Sequence, residues 1–318
     1  MAESTAFGEK VPFLTDKEAN VSPMKPLPVD FSLFRKHQEL YDEFWELRKI
    51  VSEKTKLTSE ESMENLERRW SIIKEILEKE PNFVDGYWLF AETGVPYGST
   101  FTDEKDLPKA RAIFVEVKAA CEKCLKIDKG NPHCTFWLGA SMGKIATVDG
   151  IFASLKQGKK ILDLFVEAFN SPYNYRTSSQ VSFKGNISIA LGVFYRVVPD
   201  SVLLSWFFDI SGDIDKSIYF HKQAKDYDGI DRLDNTLYLT AALLCKSENA
   251  PDSKLTMEAK ELIDYMKDQQ SYTAYLDAVL AGARHLDKKP GDACGYTLAR
   301  IQETDESKLK EKLAKENR

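Results

Sequence analysis

Apolar residues recur along most of the chain at steps of three and four, which is the spacing of a helix with one buried face. The clearest stripe, within residues 63–82, consists of Leu66, Trp70, Ile73, Ile76 and Leu77. Pro81 follows this stripe and prevents the helix from continuing, because proline disfavours helical geometry at the residue before it. The pattern therefore predicts a helix that ends just before Pro81.

Similar stripes predict helices along the rest of the chain. A helix restarts at 83–93, and a long one follows at 106–128, with Pro108 in its first turn, where a missing N–H is harmless. Further helices are predicted at 133–148, 150–169, 183–197, 213–226, 233–247, 254–268 and 271–286. No stretch shows sustained strand alternation, so the predicted fold class is all-α.

The two ends of the chain differ from this helical region. Residues 1–29 contain four prolines and show no periodicity, which predicts a flexible N-terminal tail. Residues 301–318 are rich in charge and predict a solvated C-terminal tail. Residues 30–300 are therefore expected to form the all-α domain. Its predicted core includes Trp70, Ile73, Leu89, Phe90, Phe114, Leu125, Leu138, Leu191, Tyr195, Leu239 and Leu243.

Three segments share one pattern: the end of a helix, a turn with proline or glycine, and an aromatic-rich helix. They lie at 75–91, 123–140 and, more weakly, 222–242. This is the pattern of a tetratricopeptide (TPR) helical repeat, in which small residues let paired helices approach closely. Lys129 follows Pro81 by 48 residues, whereas a TPR repeat spans roughly 34. We therefore predict a TPR-like solenoid with irregular, elongated repeats and an apolar insert at 202–213.

The charge balance excludes some partners. The chain has 44 basic and 50 acidic residues and a net charge of −6, with no positive stripe, so no nucleic-acid partner is expected. The uncharged runs, such as 185–195 and 236–245, are all shorter than the roughly 20 residues of a membrane span. The first residues lack the pattern of a secretory signal. The protein is therefore expected to be cytoplasmic, unless a leader has been removed, in which case it is periplasmic or membrane-anchored.

The chain offers little catalytic chemistry. Cys121 and Cys124, with His133 and Cys134 nearby, suggest a zinc or thiol site. However, the cysteine pair is predicted in the last turns of a helix, where the dipole raises a thiol pKa. Buried structural thiols are the favoured interpretation, with at least one left free by the odd total of five cysteines. No histidine has an acid or nucleophile at motif spacing, so we expect no enzyme activity, metal or cofactor.

The middle of the chain carries a more specific set of motifs. They are Phe136-Trp137, Gly143-Lys144, Gly150-Ile151 and the run 158–161, followed by segments at 186–199, 212–224 and 233–244. Over about residues 80–247 these motifs resemble the TRAP-transporter-associated TPR proteins, the TatT-like family. They also resemble, more weakly, the animal TPR proteins called regulators of microtubule dynamics.

The two resemblances imply different functions. The first implies a non-enzymatic scaffold that docks a periplasmic solute-binding protein and binds a hydrophobic or organic-acid ligand. The second implies a cytoplasmic adaptor that binds a peptide or cytoskeletal partner in its concave groove. A third interpretation, a thiol or zinc protein, depends on the cysteines alone.

Seven aromatic residues are candidates for ligand or partner binding. In a solenoid, certain positions of each repeat's first helix line the concave face, and these include Trp88 and Phe136, although ordinary helix packing explains both equally well. Trp137 belongs to the family pair, and Tyr195 precedes the insert. In the insert, we hypothesise that three residues line an apolar cavity or a subunit contact in a homo-oligomer: Trp206, Phe207 and Phe208. The alternative is a short helix packed on its own solenoid.

Overall fold

The computed structural model describes residues 25–52, 57–178, 181–201, 205–206, 208–249, 252–304, 307–309 and 311. The structure is 76% helical, which confirms the all-α prediction. The sequence pattern missed one small element, an antiparallel ribbon of β1 (Arg176–Ser178) and β2 (Val181–Ser182). The ribbon is too short to show alternation.

The main helices follow one another with short connections. They are α1 (Ser32–Arg35), α2 (Gln38–Ser52), α3 (Ser59–Lys79), α4 (Val84–Ser99), α5 (Leu107–Ile127), α6 (Pro132–Asp149), α7 (Ile151–Asn170), α8 (Phe183–Val197), α9 (Ile214–Asp228), α10 (Leu233–Asn249), α11 (Ser253–Lys267) and α12 (Ala274–Lys288). Short 3₁₀ turns occur at Glu104–Asp106 and Pro290–Asp292. The seven helices predicted between residues 133 and 286 are confirmed, with bounds that differ by three residues or fewer.

Local sequence explains where the helices begin and end. Thr58 and Glu61 form a capping box at the start of α3, in which each side chain accepts a hydrogen bond from the other residue's backbone N–H. The side chain of Asp213 caps α9 by accepting from the backbone N–H of Lys216 at 3.0 Å. Helix α9 ends at Gly229, whose φ of 67° is left-handed and therefore favours glycine.

The helices pack as a repeat. Each helix from α2 to α12 contacts the next, and alternate helices also touch in the pairs α4–α6, α8–α10 and α10–α12. Pairing of neighbours together with stacking of alternate helices is the arrangement of a helical-repeat protein. The coarse architecture predicted from the sequence is therefore observed.

The helical series closes on itself. Helix α12 contacts α3 and α4 near the start of the chain. The backbone N–H of Ala274 donates to Ser62 Oγ at 3.1 Å, and the Ser59 hydroxyl donates to the Asp277 carboxylate. The last long helix thus packs beside one of the first, and the helices surround a central space that is partly open to solvent.

Residues 290–302, which we call the C-terminal strap, cross from α12 towards α6. The Arg196 guanidinium donates to the carbonyls of three strap residues at 2.5–2.9 Å: Ala293, Cys294 and Tyr296. Further along, Gln302 Nε2 donates to the Thr147 carbonyl in α6 at 2.9 Å. The strap is therefore a fixed part of the fold.

The cysteines differ from the expectation of buried thiols. Cys124, at the end of α5, is disulfide-bonded to Cys134 in the first turn of α6. A second disulfide joins Cys245 of α10 to Cys294 of the strap. Cys121 is the remaining thiol, and burial raises its pKa well above the usual value. The prediction of a buried structural thiol is therefore wrong for Cys124 and confirmed for Cys121, which is also the expected free cysteine.

The predicted core is largely confirmed. Trp70, Leu125 and Tyr195 are only partly buried, and the other predicted core residues are buried: Ile73, Leu89, Phe90, Phe114, Leu138, Leu191, Leu239 and Leu243.

The described ends of the chain also make contacts. Residues 1–24 of the predicted N-terminal tail lie outside the described residues, but Lys25 pairs with Asn174 and Leu27 is buried. In the predicted C-terminal tail, Gln302 and Leu309 are buried. Apolar and polar contacts with the helical domain therefore extend beyond the predicted limits of 30 and 300.

Candidate functional site

The central space is a cavity of about 1460 Å³ that is partly open to solvent. Side chains of α2, α3, α4, α6, α7, α8, α9, α10, α11 and α12 line it, and the strap contributes Thr297, Leu298 and Ala299. Typical ligand pockets measure about 300–1,000 Å³. The cavity is therefore large enough to hold a small organic molecule.

One wall of the cavity is apolar. Helix α6 presents Trp137 and Ala140, which share one face because they are three residues apart. Helices α7 and α8 add further apolar side chains: Ile161, Phe165, Ile189, Val193 and Phe194. Such a wall can bury the apolar body of a ligand.

A first polar cluster lies at the α2, α3 and α4 side of the lining. Arg48 donates to both carboxylate oxygens of Glu92, at 2.5 and 3.1 Å. Arg69 Nε donates to Asn65 Oδ1 at 2.9 Å, and the Asn65 amide donates to the Leu47 carbonyl. Arg69 is only 9% exposed. Burial, followed by the neighbouring Arg48 charge, lowers the pKa of Arg69 to about 10.

A second polar cluster lies around Arg232. Its guanidinium donates to both oxygens of Asp234, at 3.1 and 2.7 Å, and to Asp228 at 3.2 Å. Asp228 also accepts from the backbone and hydroxyl of Ser182. Burial alone would raise the pKa of Asp234, but Arg232 outweighs burial and lowers it. Both carboxylates are therefore paired with Arg232, but at Asp228 burial outweighs this attraction and raises the pKa.

Lys144 lines the cavity as a cation without a partner. Among the described residues, its ammonium group makes no hydrogen bond or ion pair. Burial lowers its pKa to about 8, and attraction to Asp234 partly opposes that shift. Lys144 is therefore still mostly charged at neutral pH.

The lining is more basic than the protein as a whole. Its described basic residues are Arg48, Lys49, Arg69, Lys144, Arg176 and Arg232, against four acidic residues, Glu92, Asp228, Asp231 and Asp234. All four acids make ion pairs. A chain with a net charge of −6 therefore encloses a cavity that favours anions.

Two of the predicted site residues, Phe136 and Trp137, line the cavity. Trp88 does not, because it is fully buried, donates from Nε1 to Asp85 at 2.7 Å and stacks on His133 at 4.5 Å between ring centroids. Its proposed role in a binding groove is therefore wrong, and helix packing accounts for it. Tyr195 also lies outside the lining, stacked on Phe220 at 5.8 Å.

The described part of the insert does not form the cavity wall. Trp206 is 78% exposed and Phe208 packs against the main core, and neither lines the cavity. Phe207 lies outside the described residues. Ile210 is buried against Gly158 of α7, where a Cβ atom would lie only 2.5 Å from its Cδ1. The end of the insert therefore packs on the protein's own helices, and the cavity hypothesis is wrong for Trp206 and Phe208.

The sequence pattern predicted none of the charged lining residues, although basic residues within the apolar helices indicated them. Lys144 is the only basic residue between 132 and 149, a helix that is otherwise mostly apolar. Arg69 sits next to Trp70 in the stripe of α3. In this chain, a single charged residue within an apolar helix indicated the cavity lining better than the aromatic residues did.

In the described part of the chain, no group of three or more His, Cys, Asp and Glu side chains could hold a metal ion. None of the described helices is long and apolar enough to span a bilayer.

A comparison with protein-family models and with curated protein sequences finds no match for the chain. The geometry of the cavity therefore carries the functional argument.

Proposed function

We propose that this protein is a non-enzymatic, TPR-type helical-repeat scaffold whose central cavity binds a small hydrophobic or organic-acid ligand. The observation that carries this proposal is the closure of the repeat by α12 around a cavity with an apolar wall. An open solenoid groove suits an extended peptide, whereas a concave pocket lined by many helices suits a compact molecule.

The lining chemistry supports binding over catalysis. Its described residues include no histidine or cysteine, and each of its carboxylates is held in an ion pair. Lys144 has a pKa of about 8, near the working pH of a general base, but it makes no hydrogen bond or ion pair with another described lining residue that could act with it. The thiol or zinc alternative loses its ligands, because Cys124 and Cys134 are bonded to each other.

We further propose that the protein acts in an exported compartment, as a TRAP-transporter-associated component that docks a periplasmic solute-binding protein. Its motifs resemble those of that family, and two disulfides are stable in oxidising compartments but rare in the cytosol. The exposed Trp206 is a candidate contact for such a partner or for a second copy of the chain. The alternative remains a cytoplasmic adaptor, for which the resemblance to regulators of microtubule dynamics is the support.

Thiol trapping in the native host separates the two proposals. Cells are lysed in acid, the protein is denatured, and free thiols are alkylated and counted by mass spectrometry. An exported protein should show one alkylated cysteine, Cys121, and two intact disulfides. Five alkylated cysteines in freshly quenched cells would indicate a reducing compartment and favour the adaptor. A Cys121→Ser variant, which should show none, is the control.

A further inference from the structure

We propose that the ligand is an organic monocarboxylate with an apolar body, and that Arg69 binds its carboxylate. The inference rests on the proposed function, since it requires that the cavity hold a small molecule. It goes further by naming the charge of the ligand and the residue that recognises it.

Arg69 is a buried guanidinium with most of its donors unused. Its Nε–H donates a hydrogen bond to Asn65 Oδ1, and the Asn65 amide in turn donates to the Leu47 carbonyl. The two terminal nitrogens have no partner among the described residues, yet the side chain is 9% exposed and lines the cavity. A buried charge is unfavourable unless it is paired. Pairing with a ligand would remove that penalty.

The geometry of the free groups fits a carboxylate. The terminal nitrogens of arginine form a planar fork that matches two carboxylate oxygens. Asn65 fixes the Nε edge of the guanidinium, so the fork is held in one orientation before a ligand arrives. The neighbouring Arg48 already has a carboxylate of this kind in Glu92, bound through two hydrogen bonds.

The charge count around Arg69 points to a single negative charge at that part of the lining. Arg48, Arg69 and Glu92 together carry one net positive charge, which one carboxylate neutralises. Lys144, elsewhere on the lining, adds a second unpaired cation and disfavours positively charged ligands.

The surroundings of Arg69 indicate an apolar body for the ligand. Leu66 lies one turn away on α3, and further apolar lining comes from Val95 and Pro96 of α4 and Leu276 of α12. With the aromatic wall of α6, these side chains can bury hydrocarbon but offer few hydrogen bonds. A small polar dianion would leave them exposed.

The test compares three probes of equal chain length: octanoate, 1-octanol and octylammonium, titrated by calorimetry into the wild-type protein. We expect octanoate to bind about tenfold or more tightly than octanol, and octylammonium to bind weakest. Arg69→Met should weaken octanoate binding by about ten- to a hundredfold while leaving octanol unchanged. Arg69→Lys, which keeps the charge but loses the fork, should give an intermediate loss.

Arg68→Met is the matched control. Arg68 is the neighbouring residue on α3, but it is exposed and paired with Glu43 outside the cavity. Circular dichroism and the melting temperature confirm that each variant is folded. Equal binding of octanol and octanoate, or equal effects of Arg69→Met and Arg68→Met, would overturn the inference and leave the cavity as an apolar binding site. Absence of binding by all three probes would contradict both the inference and the proposed function.

Discussion

Replacing Lys144 by methionine is predicted to stabilise the ligand-free protein. The substitution keeps the aliphatic stem and removes an ammonium group that has no partner among the described residues. Burial lowers the lysine pKa from 10.5 to about 8. At about 1.4 kcal/mol per pKa unit, this corresponds to a penalty of at most about 3.5 kcal/mol at neutral pH.

The penalty has a defined pH dependence. Because the pKa is lower in the folded state, the folded protein bears the full penalty below pH 8. Between about pH 8 and 10.5 the unfolded chain binds more protons, so the wild-type protein gains stability from this group as the pH rises. The advantage of Lys144→Met should therefore be largest at pH 7 and fall towards pH 10.

Urea unfolding at pH 7, 8 and 9.5 measures this difference, with Lys123→Met as a control. Lys123 is exposed on α5 and makes no ion pair among the described residues, so its substitution should change the free energy of unfolding by less than about 0.5 kcal/mol. A stabilisation by Lys144→Met of about 1–3 kcal/mol that shrinks with pH supports the reasoning. Destabilisation at pH 7, or a gain that does not change with pH, would refute it.

Three further substitutions test other parts of the account. Replacing Cys245 and Cys294 together by serine should lower the free energy of unfolding by about 2–4 kcal/mol in a urea titration, since their disulfide fixes the strap; unchanged stability would contradict this role. Arg232→Met should cost about 3–5 kcal/mol, because it leaves buried carboxylates unpaired, and a smaller loss in Arg232→Met/Asp234→Asn would confirm that cause. Trp206→Asp should leave the melting temperature and octanoate affinity unchanged, since this side chain is 78% exposed outside the cavity; a lost affinity would refute that placement.

Helix positions were predictable because they depend on local signals. The stripe of α3, the cap at Asp213 and the proline in the first turn of α5 each act within a few residues, and the observed bounds follow them. The same local logic explains why the ribbon at 176–182 was missed. Its pairing involves only a few residues and carries no periodic pattern.

The candidate site was harder to predict, because it depends on contacts between distant parts of the chain. Closure of the repeat brings Ala274 to Ser62, and nothing in either local sequence indicates that contact. If the contact of α12 with α3 and α4 is not known, the sequence predicts that Arg69 is an ordinary solvated residue beside an apolar stripe. The prediction that Trp88 lines the groove was wrong because its helix position, which faces the groove in a regular solenoid, is buried here beside His133.

Native mass spectrometry of the purified full chain tests most directly whether the cavity is a binding site. The protein is measured as isolated and after incubation with octanoate, beside an Ala140→Trp variant that places a larger side chain on the cavity wall. The account predicts one small organic molecule per wild-type chain in at least one of the two samples, and its loss in the variant. A bare wild-type chain under both conditions, or equal retention by Ala140→Trp, would contradict the account.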